Sequence, residues 1–161
     1  MIFLDANRKE YKLPKNEKIH WRISVYSLVL SKDNKLLVNI PTWNTLYELP
    51  GGGVEPHETI AEGMIRECYE ETGYRIKSVS EMPFYIAESN FYHRTLKRFY
   101  RSVNLVYRAK LVSQKQHKEG INSSENPNEI AQIEWAPLSK LNKKNCHHIV
   151  YPAIKLLQKL V

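Results

Sequence analysis

The sequence predicts an α/β domain, a mixed β-sheet with helices on its faces, on three observations. Strand-like and helix-like stretches follow one another in the order strands, helix, strands, helix. One stretch, Thr59 to Thr72, has helical spacing and a glycine stop at Gly73. The chain has 161 residues, 42% hydrophobic and 25% charged, which suits a single globular domain with a real core over residues 1–161.

Taken in order, residues 1–20 are polar and contain Pro14, and read as a small N-terminal hairpin or arm. Trp21 to Leu30 is rich in Ile, Val, Tyr and Leu and predicts a buried strand. Lys32-Asp33-Asn34 is a turn signal, and Lys35 to Ile40 a second strand, so the pair predicts a hairpin. Leu46 to Leu49 is a short extended segment running into Pro50-Gly51-Gly52-Gly53. Arg75 to Ala87 and Phe99 to Val112 carry strand residues, with a polar, aromatic turn around Asn90 to Arg98. Gln114 to Asn128 reads as a long surface loop, and Ile130 to Trp135 as another strand. His147 to Leu160 predicts a terminal amphipathic helix, with Pro152 tolerated in its first turn.

Composition bounds the function more loosely. The net charge is +7, which favours polyanionic partners without choosing among them. No apolar run is long enough to span a bilayer, and the apolar start is too short for a signal peptide, so a cytoplasmic protein without a membrane partner is expected. Cys68 and Cys146 are the only cysteines, and no zinc spacing surrounds them. Cys146-His147-His148 has atoms that suit zinc but no fourth partner nearby, so a helix start is the preferred reading there.

The chemistry-bearing stretch is Gly51 to Tyr74, GGGVEPHETIAEGMIRECYEETGY. On a helix, Glu67, Glu70 and Glu71 stand at i, i+3 and i+4, so their carboxylates share a face. Ala61, Met64, Ile65, Cys68 and Thr72 fall on a neighbouring arc that can pack on the sheet. Three clustered acids repel one another unless a cation neutralises them, and hard oxygen ligands suit Mg²⁺ or Mn²⁺. The glycines before the helix let backbone approach a ligand closely, so Gly51 or Gly52 could offer a carbonyl to that cation. Arg66, beside the acids, can fix a carboxylate with its planar fork.

Gly52, Glu58, Arg66, Glu67, Glu70, Glu71 and Gly73 match every fixed position of the Nudix box, so the chain resembles Nudix hydrolases of the MutT type. Agreement at one start by chance is on the order of one in 10⁸. Cys68 and Tyr74 stand where that pattern prefers aliphatics. The lead-in Leu46 to Gly52 is also similar to the family's, as are Glu129-Ile130, Trp135 and Leu138 near a late strand.

The resemblance implies a Nudix-type α/β/α sandwich and a pyrophosphohydrolase in which water attacks phosphorus in a nucleoside diphosphate derivative. It implies Mg²⁺, with Mn²⁺ as a substitute, held by Glu67, Glu70, Glu71 and a carbonyl of Gly51 or Gly52. Arg66 would orient the glutamates, and Glu58 would brace the loop or Arg66. The general base would be Glu71, Glu67 or, outside the box, Glu129 with Glu134 behind it. Arg98 and Tyr100, in a basic and aromatic hairpin tip, and Trp43, before the box, are kept as substrate contacts. A small nucleotide is the expected partner, nucleic acid is disfavoured, and a homodimer is open. The alternatives are a non-catalytic nucleotide-sensing Nudix module and an RNA 5′-end pyrophosphohydrolase, the latter supported by the basic charge alone.

Overall fold

The computed structural model of the chain describes residues 1–121 and 130–161. Its main sheet has seven strands: β1 (Ile2–Leu4), β2 (Glu10–Lys12), β3 (Ile19–Val29), β5 (Gly51–Gly53), β6 (Ile76–Ser78), β7 (Tyr85–His93) and β8 (Arg98–Leu111). Their order is β2-β1-β7-β8-β3-β5, with β6 paired to the far end of β8. The sheet is mixed. β3 and β8 run parallel over eleven register pairs from Ile19↔Phe99 to Val29↔Ala109, while β7 and β8 form an antiparallel hairpin. Strands β1 and β2 pair antiparallel near the N-terminus, and β1 joins the sheet through the parallel bridge Leu4↔Phe91.

A second, two-stranded sheet pairs β4 (Lys35–Pro41) with β9 (Ile130–Pro137). This corrects the hairpin expected between the first two long strands. The turn closes, with the Ser31 N–H donating to the Lys35 carbonyl at 2.8 Å, but only the bridge Leu30↔Leu36 joins the strands. The reason lies in side-chain burial. Leu36 and Val38 enter one apolar cluster and Leu37 the other, so β4 is covered on both sides and leaves its neighbour.

Those two clusters lie on opposite faces of the main sheet, and each takes one long helix, which gives the sandwich. Leu28 and Val106 pack with Ile154 and Leu157 of α3 (Tyr151–Gln158). Val25, Val29 and Ala109 pack with Met64 and Cys68 of α1 (Ile60–Thr72). Full burial of Met64 contributes about 1.5–3 kcal/mol. Burial raises the Cys68 thiol to about 11, so it stays a small apolar filler. Ala61 and Ile65 of the expected apolar arc are exposed, because the buried stripe centres on Gly63, Met64 and Cys68.

Both ends of α1 are set locally. Thr59 and Glu62 form a reciprocal capping box, and Gly73 ends the helix in the left-handed region at φ 72°, its N–H donating to the Tyr69 carbonyl. The third helix begins at Tyr151, later than expected. The His147 N–H is held by the Tyr47 carbonyl at 2.8 Å, which keeps the residues before it out of the helix. A short helix, α2 (Lys118–Ile121), lies within the expected loop and packs on α1. No helix among the described residues is long and apolar enough to cross a membrane.

Candidate active site

A cleft of about 610 Å³ opens where β5 meets α1. The capping box starts α1 so that Glu67, Glu70 and Glu71 all line that cleft, as the i, i+3, i+4 spacing predicts. β5 is a strand of three glycines, and the absence of side chains lets it lie directly against the acids. A Cβ on Gly52 would stand 2.7–2.8 Å from the Glu67 carboxylate. A Cβ on Gly53 would meet the Arg22 guanidinium at 2.6 Å.

Arg66 is the hub. Its Nε and Nη2 donate to the two Glu58 oxygens at 3.0 and 2.7 Å, and Nη2 also donates to the Gly53 carbonyl at 3.1 Å. Nη1 stands 3.1 Å from Glu67 Oε1 and 3.2 Å from Glu70 Oε2. The guanidinium beside Glu58 holds that carboxyl below the usual carboxylate range, and Glu58 raises Arg66 further still. Gly63, a residue that weakens a helix interior, is explained by Glu58: a Cβ there would meet Glu58 Oε1 at 2.8 Å.

Glu67 is the strained member. Burial raises its carboxyl above the ordinary value, against the lowering influence of Arg66. Glu71 is held separately, its Oε2 accepting from the Gly51 N–H and from Asn39 Nδ2, both at 2.8 Å. Among the described residues no three acidic, histidine or cysteine side chains close into a finished metal cage, at Cys146-His147-His148 or elsewhere. The donor set itself is chemically apt for a hard cation: carboxylate oxygens under a glycine backbone, one of them desolvated.

The remaining expected residues divide. Trp43, 44% exposed, lines the cleft. Arg98 and Tyr100 do not. Arg98 is exposed at the start of β8, and Tyr100 instead carries the Arg22 guanidinium over its ring at 5.9 Å. Glu134 is tied to Tyr47 and Gln132, away from the cleft. Glu129 lies outside the described residues. Sequence reasoning missed Arg22, Asn39 and Asn104, each a polar residue inside an apolar strand, and that interruption was the available signal.

The family model of the NUDIX domain matches residues 20–157. The chain belongs to the NUDIX family. A MutT-like protein of Streptomyces ambofaciens is 42% identical over 55 residues, 34% of this chain and 36% of that one. That match thus spans about a third of its relative. An RNA pyrophosphohydrolase of Rickettsia canadensis is 29% identical over 149 residues, covering 85% of this NUDIX chain and 84% of the other. The crystal structure of a MutT protein from Methanosarcina mazei superposes with a TM-score of 0.64 at 20% identity, over 89% of this chain and 96% of that one, and shares the fold.

Proposed function

We propose that this NUDIX chain hydrolyses a diphosphate linkage in a nucleoside diphosphate derivative, with Mg²⁺ as its cation and Mn²⁺ as a substitute. One observation carries the reading: Arg66 ties Glu58, Glu67, Glu70 and the Gly53 carbonyl into a single preorganised wall of the cleft. Beyond the Arg66–Glu58 contact, the clustered carboxylates of Glu67, Glu70 and Glu71 repel one another, and a bound cation would relieve that repulsion.

Glu67, Glu70, Glu71 and a carbonyl of Gly51 or Gly52 would hold the cation. Once bound, it would neutralise phosphate oxygens and acidify a water. Arg66 and Glu58 keep the acids in register, so that little reorganisation remains at the moment of reaction. Arg22, against Gly53 on the same cleft, supplies positive charge for a phosphate. Glu67 suits the role of proton acceptor, because burial raises its affinity for a proton. Mn²⁺ affinity read beside turnover in Glu67→Gln, Glu71→Gln and Glu129→Gln separates loss of the base from loss of the cation.

The test is a panel of nucleotide diphosphate derivatives with Mg²⁺ or Mn²⁺, followed by product analysis. Glu70→Gln and Glu71→Gln should each abolish hydrolysis without unfolding the protein. Near-native turnover by either variant at saturating Mg²⁺ refutes the assignment. An intact set of acids argues against a sensor that binds nucleotide without cleaving it.

A second reading, hydrolysis at an RNA 5′ end, draws on the match to the Rickettsia protein over 85% of this chain and on the net charge of +7. RNA binding would weaken steeply with salt, whereas a small nucleotide would show a much shallower dependence.

A further inference from the structure

Away from the acids, the cleft runs over the middle of the main sheet. There Ser24 faces Asn104 and Arg22 faces Ser102 across β3 and β8. On β7, Ala87 stands opposite Asn104 and Ser89 opposite Ser102. The next row on the same face is Tyr26, Val106 and Tyr85, which pack in the α3 cluster. Small polar residues therefore replace core residues where the cleft begins.

These polar groups are buried yet unspent. Ser24, Ser102 and Asn104 are 4%, 3% and 1% exposed. Asn104 Nδ2 donates to Ser89 Oγ at 2.9 Å and to the Ala87 carbonyl at 3.3 Å, which fixes the orientation of the amide. Its Oδ1 is left buried without a donor among the described residues. The Ser24 and Ser102 hydroxyls make no hydrogen bond among the described residues either, but unlike Asn104 Oδ1 they are not sealed from solvent. Native proteins rarely leave such capacity unused, except where a ligand takes it up. Phe91 flanks this floor, and Ile149 and Trp43 also line the cleft, so apolar surface surrounds a polar base. A flat ring with apolar faces and a hydrogen-bonding edge fits that space.

We propose that Asn104, with Ser24 and Ser102, forms a nucleobase subsite that selects bases bearing an exocyclic amino group over uracil, thymine and hypoxanthine. The inference rests on the cleft being a nucleotide site and specifies which nucleotides it takes. Asn104 Oδ1 is an acceptor set below the surface. A projecting amino group reaches it, whereas the ring N–H of uracil or thymine lies between two carbonyl oxygens and that of hypoxanthine beside one, each of which brings an acceptor against it. Arg22, in register with Ser102, links this floor to the glycine strand and so to the phosphate end.

The test is isothermal titration of the whole chain with nucleoside monophosphates in Mg²⁺: AMP and GMP against IMP, and CMP against UMP. The tightest-binding amino nucleotide should exceed its counterpart lacking that group by roughly tenfold or more. In Asn104→Leu that ratio should fall to about one. Three results overturn the proposal: IMP or UMP binding as tightly as the amino nucleotides in the unaltered protein, no binding by any of the five, or a ratio that persists in Asn104→Leu. The comparison in the unaltered protein needs no variant to fold. Monophosphates hold no diphosphate bond, so the hydrolase reading is judged separately: discrimination among them without cleavage of any diphosphate keeps the subsite and removes the reaction.

Discussion

Arg66 and Glu58 meet in a two-point contact, guanidinium to carboxylate, with Glu58 only 8% exposed at its side chain. The pair fastens the loop before α1 to the face of α1 that carries the acids. Its loss should be felt twice, in stability and in catalysis. Glu58→Gln should lower stability by about 1–3 kcal/mol, because charge-assisted bonds are exchanged for weaker ones. Urea unfolding measures it, and an unchanged midpoint would mean that the contact is dispensable. The sign with pH follows from the direction of the shift. Glu58 has its carboxyl held down in the folded state, so its contribution is present above its unfolded value and disappears as pH falls through the folded one.

Glu67 should behave in the opposite way. Burial raises its carboxyl, so the folded protein holds the proton more tightly than the unfolded chain, and stability falls as pH rises through that interval. Glu67→Gln should therefore raise the melting temperature of the metal-free protein at pH 7 to 8. It should also abolish the further rise expected on adding Mg²⁺ to the unaltered protein. Thermal scans with and without Mg²⁺ read both effects, and a lower metal-free melting temperature would contradict the first.

Asn39 should act as a positioning residue. Its amide and the Gly51 N–H both donate to Glu71 Oε2, which fixes the orientation of that carboxylate. Asn39→Leu should weaken Mn²⁺ binding about 10- to 100-fold. The signal of free Mn²⁺ in electron paramagnetic resonance gives this without any turnover, and unchanged affinity would remove Asn39 from the account.

Gly52→Ala tests the close approach directly. The added methyl would press on the end of a flexible side chain, so the backbone can stay while the Glu67 carboxylate moves. Turnover should fall about 100-fold, the usual effect of misplacing a reacting group by about 1 Å. Circular dichroism should be unchanged, and a variant that unfolds would point to a tighter backbone constraint than the one described.

Arg98→Ala should leave kcat/KM within about twofold of the unaltered protein, since Arg98 is exposed and outside the cleft. A larger loss would return the hairpin tip to the substrate site.

Much of this was legible beforehand, for identifiable reasons. The helix of the acids could be read because its signals are local: the 3.6-residue spacing from Thr59 and the Gly73 stop lie within fifteen residues, and Thr59 proves to be the cap rather than the first helical residue. The place of β4 could not, because partner choice depends on burial from two sides by distant segments. Arg98 and Tyr100 were singled out from composition at a hairpin tip, and composition does not say on which side of a strand a ring lies. Asn39 interrupts the apolar run of β4 and Asn104 sits between Val103 and Leu105, where a polar residue could equally have been an edge or a turn. Only the fold showed that Asn39 holds Glu71 and that Asn104 lines the cleft.

The parallel pairing of β3 with β8 also bears on the order in which the protein can assemble. Ile19 meets Phe99 across eighty residues of chain, and the pairing continues to Val29 and Ala109. The middle of the molecule therefore cannot close during synthesis until β8 has left the ribosome. Before then β3, with its Ile, Val and Leu side chains, must wait without its central neighbour. The segment made first is consequently the one longest at risk of sticking to other nascent chains, and bound chaperones should be sought there.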